Sequence, residues 1–164
     1  MLSPSGPELP SSLKEREEFL REVDYFGLKE VMVGEKKEAK ELCEQGYAFY
    51  NGKGVPKDPK KAVELWQRAA ELGDARAQNR LAICYKNGEG VLQDLKKAIQ
   101  LYEKAAEQGH RDAQYNLACR YKNGEGVPYS KEKAIEWFKK AEAQGDTDAR
   151  RMLENMGVYD SKSN

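Results

Sequence analysis

Asn51-Gly52-Lys53-Gly54-Val55, Asn87-Gly88-Glu89-Gly90-Val91 and Asn123-Gly124-Glu125-Gly126-Val127 stand 36 residues apart in a chain of 164. The same interval aligns Ala62 with Ala98 and Ala134, Trp66 with Tyr102 and Phe138, and Gly73 with Gly109 and Gly145. A unit this short cannot bury its apolar face alone and must stack on its copies. The period therefore predicts a stacked array of short repeats.

Each unit reads as helix, tight loop, helix, tight loop. In the second unit Ala77, Leu81, Ala82 and Tyr85 recur at helical spacing and predict a first helix over 75–87. Ala113, Leu117, Ala118 and Tyr121 repeat that stripe in the third. Asn-Gly closes the helix, because both residues tolerate the left-handed backbone of a helix C-terminus. Asp58 and Asp94 then serve as N-caps of the second helices, with Pro59 in a first turn. These second helices are expected over 60–72, 95–108 and 131–144. Their alanines let the two helices of a hairpin approach closely, while the aromatic of each unit fills the gap to its neighbour. Glu64 with Arg68 and Glu136 with Lys140 are spaced for outward ion pairs, each worth about 0.2–0.5 kcal/mol.

Hydrophobic residues make up 39% and charged residues 34% of the chain, which fits an elongated body with much solvated surface. Twenty-eight basic and 28 acidic residues cancel. The net field that draws nucleic-acid and anionic-membrane binders is therefore missing, and neither partner is expected. No apolar run approaches the roughly 20 residues needed to span hydrocarbon. The opening stretch MLSPSGPELPSSLKEREE lacks the apolar core of a secretory signal, so the expected location is cytoplasmic. Cys43, Cys84 and Cys119 form an odd set without a close pair and read as free, buried thiols.

Residues 1–10, with Pro4, Pro7 and Pro10 among Ser and Gly, are too poor in apolar groups for regular structure and are expected to be a disordered tail. Ser12-Leu13-Lys14-Glu15 is a capping-box pattern, and Leu13, Phe19, Leu20 and Val23 lay an apolar stripe along the helix it would start. The expected organisation is a helical cap over 11–34, broken at Gly27 and bounded by Gly34, with the solenoid over 35–156. Its repeats fall at about 39–74, 75–110 and 111–146 with a half repeat at 147–156, and 157–164 is a flexible end.

Read from Ala77 to Gly109, the pattern A-x-x-x-L-A-x-x-Y-x-x-G-x-G-V-x-x-D-x-x-K-A-x-x-x-Y-x-x-A-A-E-x-G resembles the Sel1-like repeat, a relative of the tetratricopeptide repeat. The first copy departs from it at Glu41 and Gln45, which occupy the Ala and Leu columns, a polar replacement suited to an end cap. With the helical spacing inside each unit, the resemblance implies an all-α fold, a right-handed α/α solenoid of antiparallel helix hairpins. It also implies a non-catalytic scaffold or adaptor for protein–protein interaction. Phe19-Leu20-Arg21-Glu22-Val23-Asp24-Tyr25-Phe26-Gly27-Leu28 also resembles the end of a BTB domain of the potassium-channel-tetramerisation type, which would imply a substrate adaptor for a ubiquitin ligase. A secreted, cysteine-rich branch of Sel1-like proteins is associated with penicillin binding and weak β-lactamase activity. Its cysteines bridge the two helices of each repeat, whereas here no second helix carries a cysteine.

No constellation in the chain points to catalysis. His110 is the single histidine, and it occupies the slot that holds Asp74 and Asp146 in the sister units, so it reads as a surface loop residue. The Gly-x-Gly loops lack the further glycine and preceding strand of a dinucleotide site, and the Gly-Lys-Ser/Thr of a phosphate loop. Asp146-Thr147-Asp148 opens like a calcium loop, but Arg150 fills a ligand slot and helix capping is the better reading. No cofactor and no metal are expected.

Binding remains, and in stacked hairpins the first helices line the concave face. The second unit contributes Arg76, Asn79, Arg80, Ile83 and Lys86, and the third Asp112, Tyr115, Asn116, Cys119 and Lys122. The first offers Lys40, Cys43, Tyr47 and Tyr50, and the half repeat adds Asp148, Arg151 and Asn155. Tyrosines, amides and basic groups together suit a protein or peptide partner with some acidic character. The chain itself is expected to be a monomer unless a BTB portion is present.

Overall fold

The computed structural model describes residues 28–159. Seven helices run through them: α1 Leu28–Asn51, α2 Pro59–Glu71, α3 Ala75–Asn87, α4 Leu95–Glu107, α5 Arg111–Asn123, α6 Lys131–Glu142 and α7 Thr147–Asn155. Each packs chiefly on the next, as antiparallel hairpins stacked into a solenoid do. The first helices of the units, α1, α3, α5 and α7, form one layer, and α2, α4 and α6 form the other.

Local chemistry sets the ends of these helices. Asp58, Asp94 and Ser130 cap the second helices, their side chains accepting the N–H of Lys61, Lys97 and Lys133 at 3.0, 3.0 and 3.2 Å. Asp74 and Asp146 cap α3 and α7 at 2.9 Å. His110 does the same for α5, its Nδ1 accepting the Ala113 N–H at 3.2 Å. It is therefore a half-buried structural cap rather than a loop residue, and burial holds its pKa below the usual 6.5.

Two boundaries and one ion pair differ from expectation. Helix α1 passes through Gly34 without a break, because that residue is exposed and a mid-helix glycine costs only about 1 kcal/mol. Residues 157–159 stay attached where a flexible end was expected: Val158 N–H donates to the Leu153 carbonyl at 3.0 Å and Tyr159 Oη to Glu142 at 2.7 Å. Glu64 pairs with Lys61 at 3.2 Å, since Arg68 reaches across to Glu38 of α1 instead; Glu136 and Lys140 pair as spaced, at 2.8 Å. The tail over 1–10, the capping box at Ser12 and the BTB-like stretch before Leu28 lie outside the described residues.

The core is a column of rings seated among alanines. Trp66, Tyr102 and Phe138 are at most 1% exposed, and Ala62, Ala69, Ala98, Ala105, Ala134 and Ala141 around them are similarly buried. The columns trade volume. Where the ring is the largest, Trp66, the facing first-helix residue is Gly46, and a Cβ there would collide with the indole; Ala82 and Ala118 hold that place beside Tyr102 and Phe138. The indole Nε1 also donates to the Cys43 carbonyl at 3.2 Å.

Two features join successive units. The second glycine of each loop has positive φ, and at Gly90 a Cβ would run into the Pro59 carbonyl at the start of the preceding unit's α2. At Gly54, with the same backbone, nothing lies within 4 Å. The other feature is a glutamine bridge. Gln78 is 5% exposed; its Nε2 donates to the Ala70 carbonyl at the end of the preceding α2, and its Oε1 accepts from Gln108 Nε2 at 2.8 Å. Gln114 repeats this with Ala106 and Gln144. It thus satisfies one of the orphan carbonyls every helix leaves at its C-terminus. In the first unit both positions are leucine, Leu42 and Leu72, and they belong to the apolar core.

Gly90→Ala should therefore destabilise by clearly more than the roughly 1–2 kcal/mol of left-handed backbone strain expected for Gly54→Ala, which urea unfolding of the two variants measures. Gln78→Leu alone should cost about 1–3 kcal/mol by orphaning Gln108 and the Ala70 carbonyl. Gln78→Leu with Gln108→Leu should recover part of it, giving a non-zero coupling in a double-mutant cycle. His110→Asp should raise stability by about 1 kcal/mol at neutral pH. The unfolded chain takes up the imidazole proton more readily than the folded one. Wild-type stability should consequently fall as pH drops from 6.5 to about 5, a loss absent from the aspartate variant.

Candidate functional site

On the face made by the first helices, where the concave groove was expected, side chains of one unit reach the next. Arg76 Nη1 donates to Glu44 at 2.8 Å and Nη2 to Asp74 at 3.4 Å, and these carboxylates raise the guanidinium pKa. Arg80 Nε donates to Tyr47 Oη at 2.8 Å, with the guanidinium carbon 4.9 Å from the centre of that ring. Tyr50 Oη donates to Glu89 at 2.5 Å, which raises the phenol pKa. Asn116 Nδ2 donates to Asn79 Oδ1 at 3.1 Å.

These contacts sort the expected site residues. Asn79 is only 4% exposed, with its amide oxygen taken by Asn116, and Cys43 is fully buried in the core cluster that holds Trp66, so neither is available to a ligand. Ile83 and Cys119 are half-buried and lie against the core. The rings of Tyr47 and Tyr50 pack on Trp66 at 5.5 and 5.4 Å, and Tyr115 packs on Phe138 at 5.5 Å, so one side of each is already covered. Arg151 pairs with Asp148 at 2.7 Å and Asp112 with Arg111 at 3.2 Å. Lys40, Lys86, Lys122 and Arg80 form no salt bridge among the described residues.

At one end of the groove a polar cavity of about 320 Å³ opens between the starts of α5 and α7, lined by Arg111, Asp112, Tyr115, Asn116, Asp146 and Asp148. The sequence reading overlooked Glu44 and Glu89, which bind groove residues of the adjoining unit. Their signal was faint: Glu89 recurs as Glu125 in the next loop, where it pairs with Arg120 instead.

Nothing in the groove is primed as a nucleophile. Burial pushes the thiols of Cys43 and Cys84 up to about 12 and 11, and raises that of Cys119, so all three are protonated at neutral pH. All three are free, and Cys43 and Cys84 lie on first helices, as does Cys119. Among the described residues no group of three or more His, Cys, Asp or Glu side chains is placed to hold a metal ion, and no helix is long and apolar enough to cross a membrane.

Comparison with known proteins returns the same architecture. The crystal structure of c5321, a protective antigen of uropathogenic Escherichia coli with an SLR fold, is 38% identical and superposes with a TM-score of 0.70 over 72% of this chain, which spans 25% of that protein. A Sel1 repeat protein from Oxalobacter formigenes is 31% identical, with a TM-score of 0.68, covering 79% of this chain and 99% of that one. Helicobacter pylori cysteine rich protein B is 27% identical, with a TM-score of 0.57, covering 72% of this chain and 96% of that one. No curated protein sequence matches. The sequence profile described as Sel1 repeat matches residues 41–74, 75–110 and 111–146, three contiguous units whose ends fall where the helix hairpins end, and the chain belongs to the Sel1 repeat family.

Proposed function

We propose that the chain is a non-catalytic scaffold that holds an acidic, extended peptide segment of a partner protein along its concave face. The observation that carries this reading is the row of cations left uncompensated there. Arg76 and Arg151 are neutralised by the protein's own carboxylates. Arg80 is instead buttressed by the Tyr47 ring, which fixes its guanidinium without cancelling its charge. Lys86 and Lys122 occupy one column of successive units and follow it along the groove. A pre-positioned guanidinium loses little entropy on meeting a carboxylate, and half-buried cations hold that charge in a medium less screening than bulk water. Tyr115 and Asn116, in the polar cavity between the starts of α5 and α7, supply ring surface and amide donors for a peptide backbone. Family membership supports the same general role, since Sel1 repeats serve as protein-interaction scaffolds.

Three units make a short groove, and affinities of about micromolar are expected. An arrayed library of linear peptides graded by net charge tests the reading. Acidic members should bind, and Arg80→Glu with Lys86→Glu should weaken them by about tenfold or more while leaving the melting temperature within a few degrees. Arg68→Glu, on the opposite layer, should leave binding unchanged. Binding that ignores peptide charge, or that survives the Arg80 and Lys86 reversals, overturns the proposal.

A further inference from the structure

The layer opposite the concave face carries a second feature. A notch of about 280 Å³ opens between α2 and α4, walled by Gln67, Ala70 and Leu101, with Leu81 and Tyr85 of α3 beneath and Lys97 and Lys104 on its rim. It lies over a seam. The buried core falls into two clusters, and Tyr85 and Leu101 are the partly buried residues that pack against both.

The repeat itself shows what such a place accepts. One unit later the Leu101 column holds Trp137, whose ring packs on the core beneath Lys140, with Nζ 4.0 Å from the ring centre. Tyr121, the counterpart of Tyr85, donates its hydroxyl to Glu103 at 3.3 Å. In the notch Gln67 stands in the Glu103 column, and Leu101 is smaller than an indole. The second unit therefore presents the same alanine, leucine, tyrosine and lysine surroundings without the indole and without the carboxylate. Lys97 stacks over the Tyr85 ring at 5.3 Å, and neither it nor Lys104 forms an ion pair among the described residues. Glu71 is the one acidic group among the lining residues, so the rim is net positive.

We infer that this notch is a second peptide-docking site, which takes a tryptophan side chain flanked by carboxylates from an acidic partner segment. The indole occupies over Leu101 and Tyr85 the place Trp137 fills within the chain, and Lys104 lies over it as Lys140 lies over Trp137. The flanking carboxylates meet Lys97 and Lys104. Large aromatic anchors in small pockets carry most of the energy of such contacts, and the charges set register and specificity. The inference stands apart from the concave-face reading, since the two sites share no residue.

Titration of the intact, isotope-labelled chain with the probe Ac-Glu-Trp-Glu-NH2, followed by amide chemical shifts, tests it. Saturable shifts are expected at Ala70, Tyr85, Leu101 and Lys104, with Ac-Glu-Ala-Glu-NH2 weaker by about tenfold or more. Leu101→Trp should fill the notch and abolish the shifts. Lys104→Glu, an exposed substitution that leaves the fold intact, should weaken binding about tenfold, and Arg80→Glu should have no effect. Shifts confined to the concave face, equal response to the alanine probe, or binding retained in both Leu101→Trp and Lys104→Glu overturns the inference.

Discussion

Trp66, Tyr102 and Phe138 are the rings on which the stacking depends, each sealed where alanines bring the two helices of a hairpin together. The alanines permit close approach, and the close approach leaves room for one large side chain and no more. Such a column cannot drift in register, because a ring displaced by one residue would meet a helix backbone instead of a socket. Gly46 opposite Trp66 shows how tightly the volumes are matched: the larger ring is admitted only where the facing residue gives up its Cβ. Everything else in a unit, including caps, loops and groove, takes its position from that fit.

The electrostatics work on a finer scale. Formal net charge is zero, yet the charges are not evenly cancelled. Arg76 meets two carboxylates while Arg80, one helical turn away, meets a tyrosine ring. A composition argument averages over that distinction. It reads the chain as electrically bland, whereas successive turns of α3 carry Arg76, neutralised by two carboxylates, and Arg80, which meets a tyrosine and forms no salt bridge among the described residues.

Much of the fold was legible because periodicity acts on every column at once. Asp58, Asp94 and the Asn-Gly helix ends were readable from local chemistry that needs no tertiary context. Gly34 misled because a glycine weakens a helix without being obliged to end it. Asn79 misled for another reason. Spacing puts it on the inner stripe, but burial there depends on how closely α3 and α5 approach, which one helix taken alone cannot show. The expected pair of Glu64 with Arg68 did not form because Arg68 meets Glu38 of a neighbouring helix, leaving Glu64 to Lys61 one turn back on its own. The notch was invisible for the same reason: Leu101 and Trp137 look interchangeable as core residues until the space between α2 and α4 is seen.

The glutamine bridge has a consequence for how such an array can lengthen or shorten. Gln78 and Gln108 lie 30 residues apart and need each other, and Gln78 also needs a carbonyl supplied from before its own unit. Leu42 and Leu72 form the matching apolar pair at the leading edge. A recombination joint between the first unit and a later one, placed between the two members of a pair, would set a leucine against a glutamine. Joints that fall in the short stretch from one pair to the next leave both intact. Copying the second or third unit keeps glutamine opposite glutamine wherever the joint falls, whereas a joint with the first unit must respect the leucine pair.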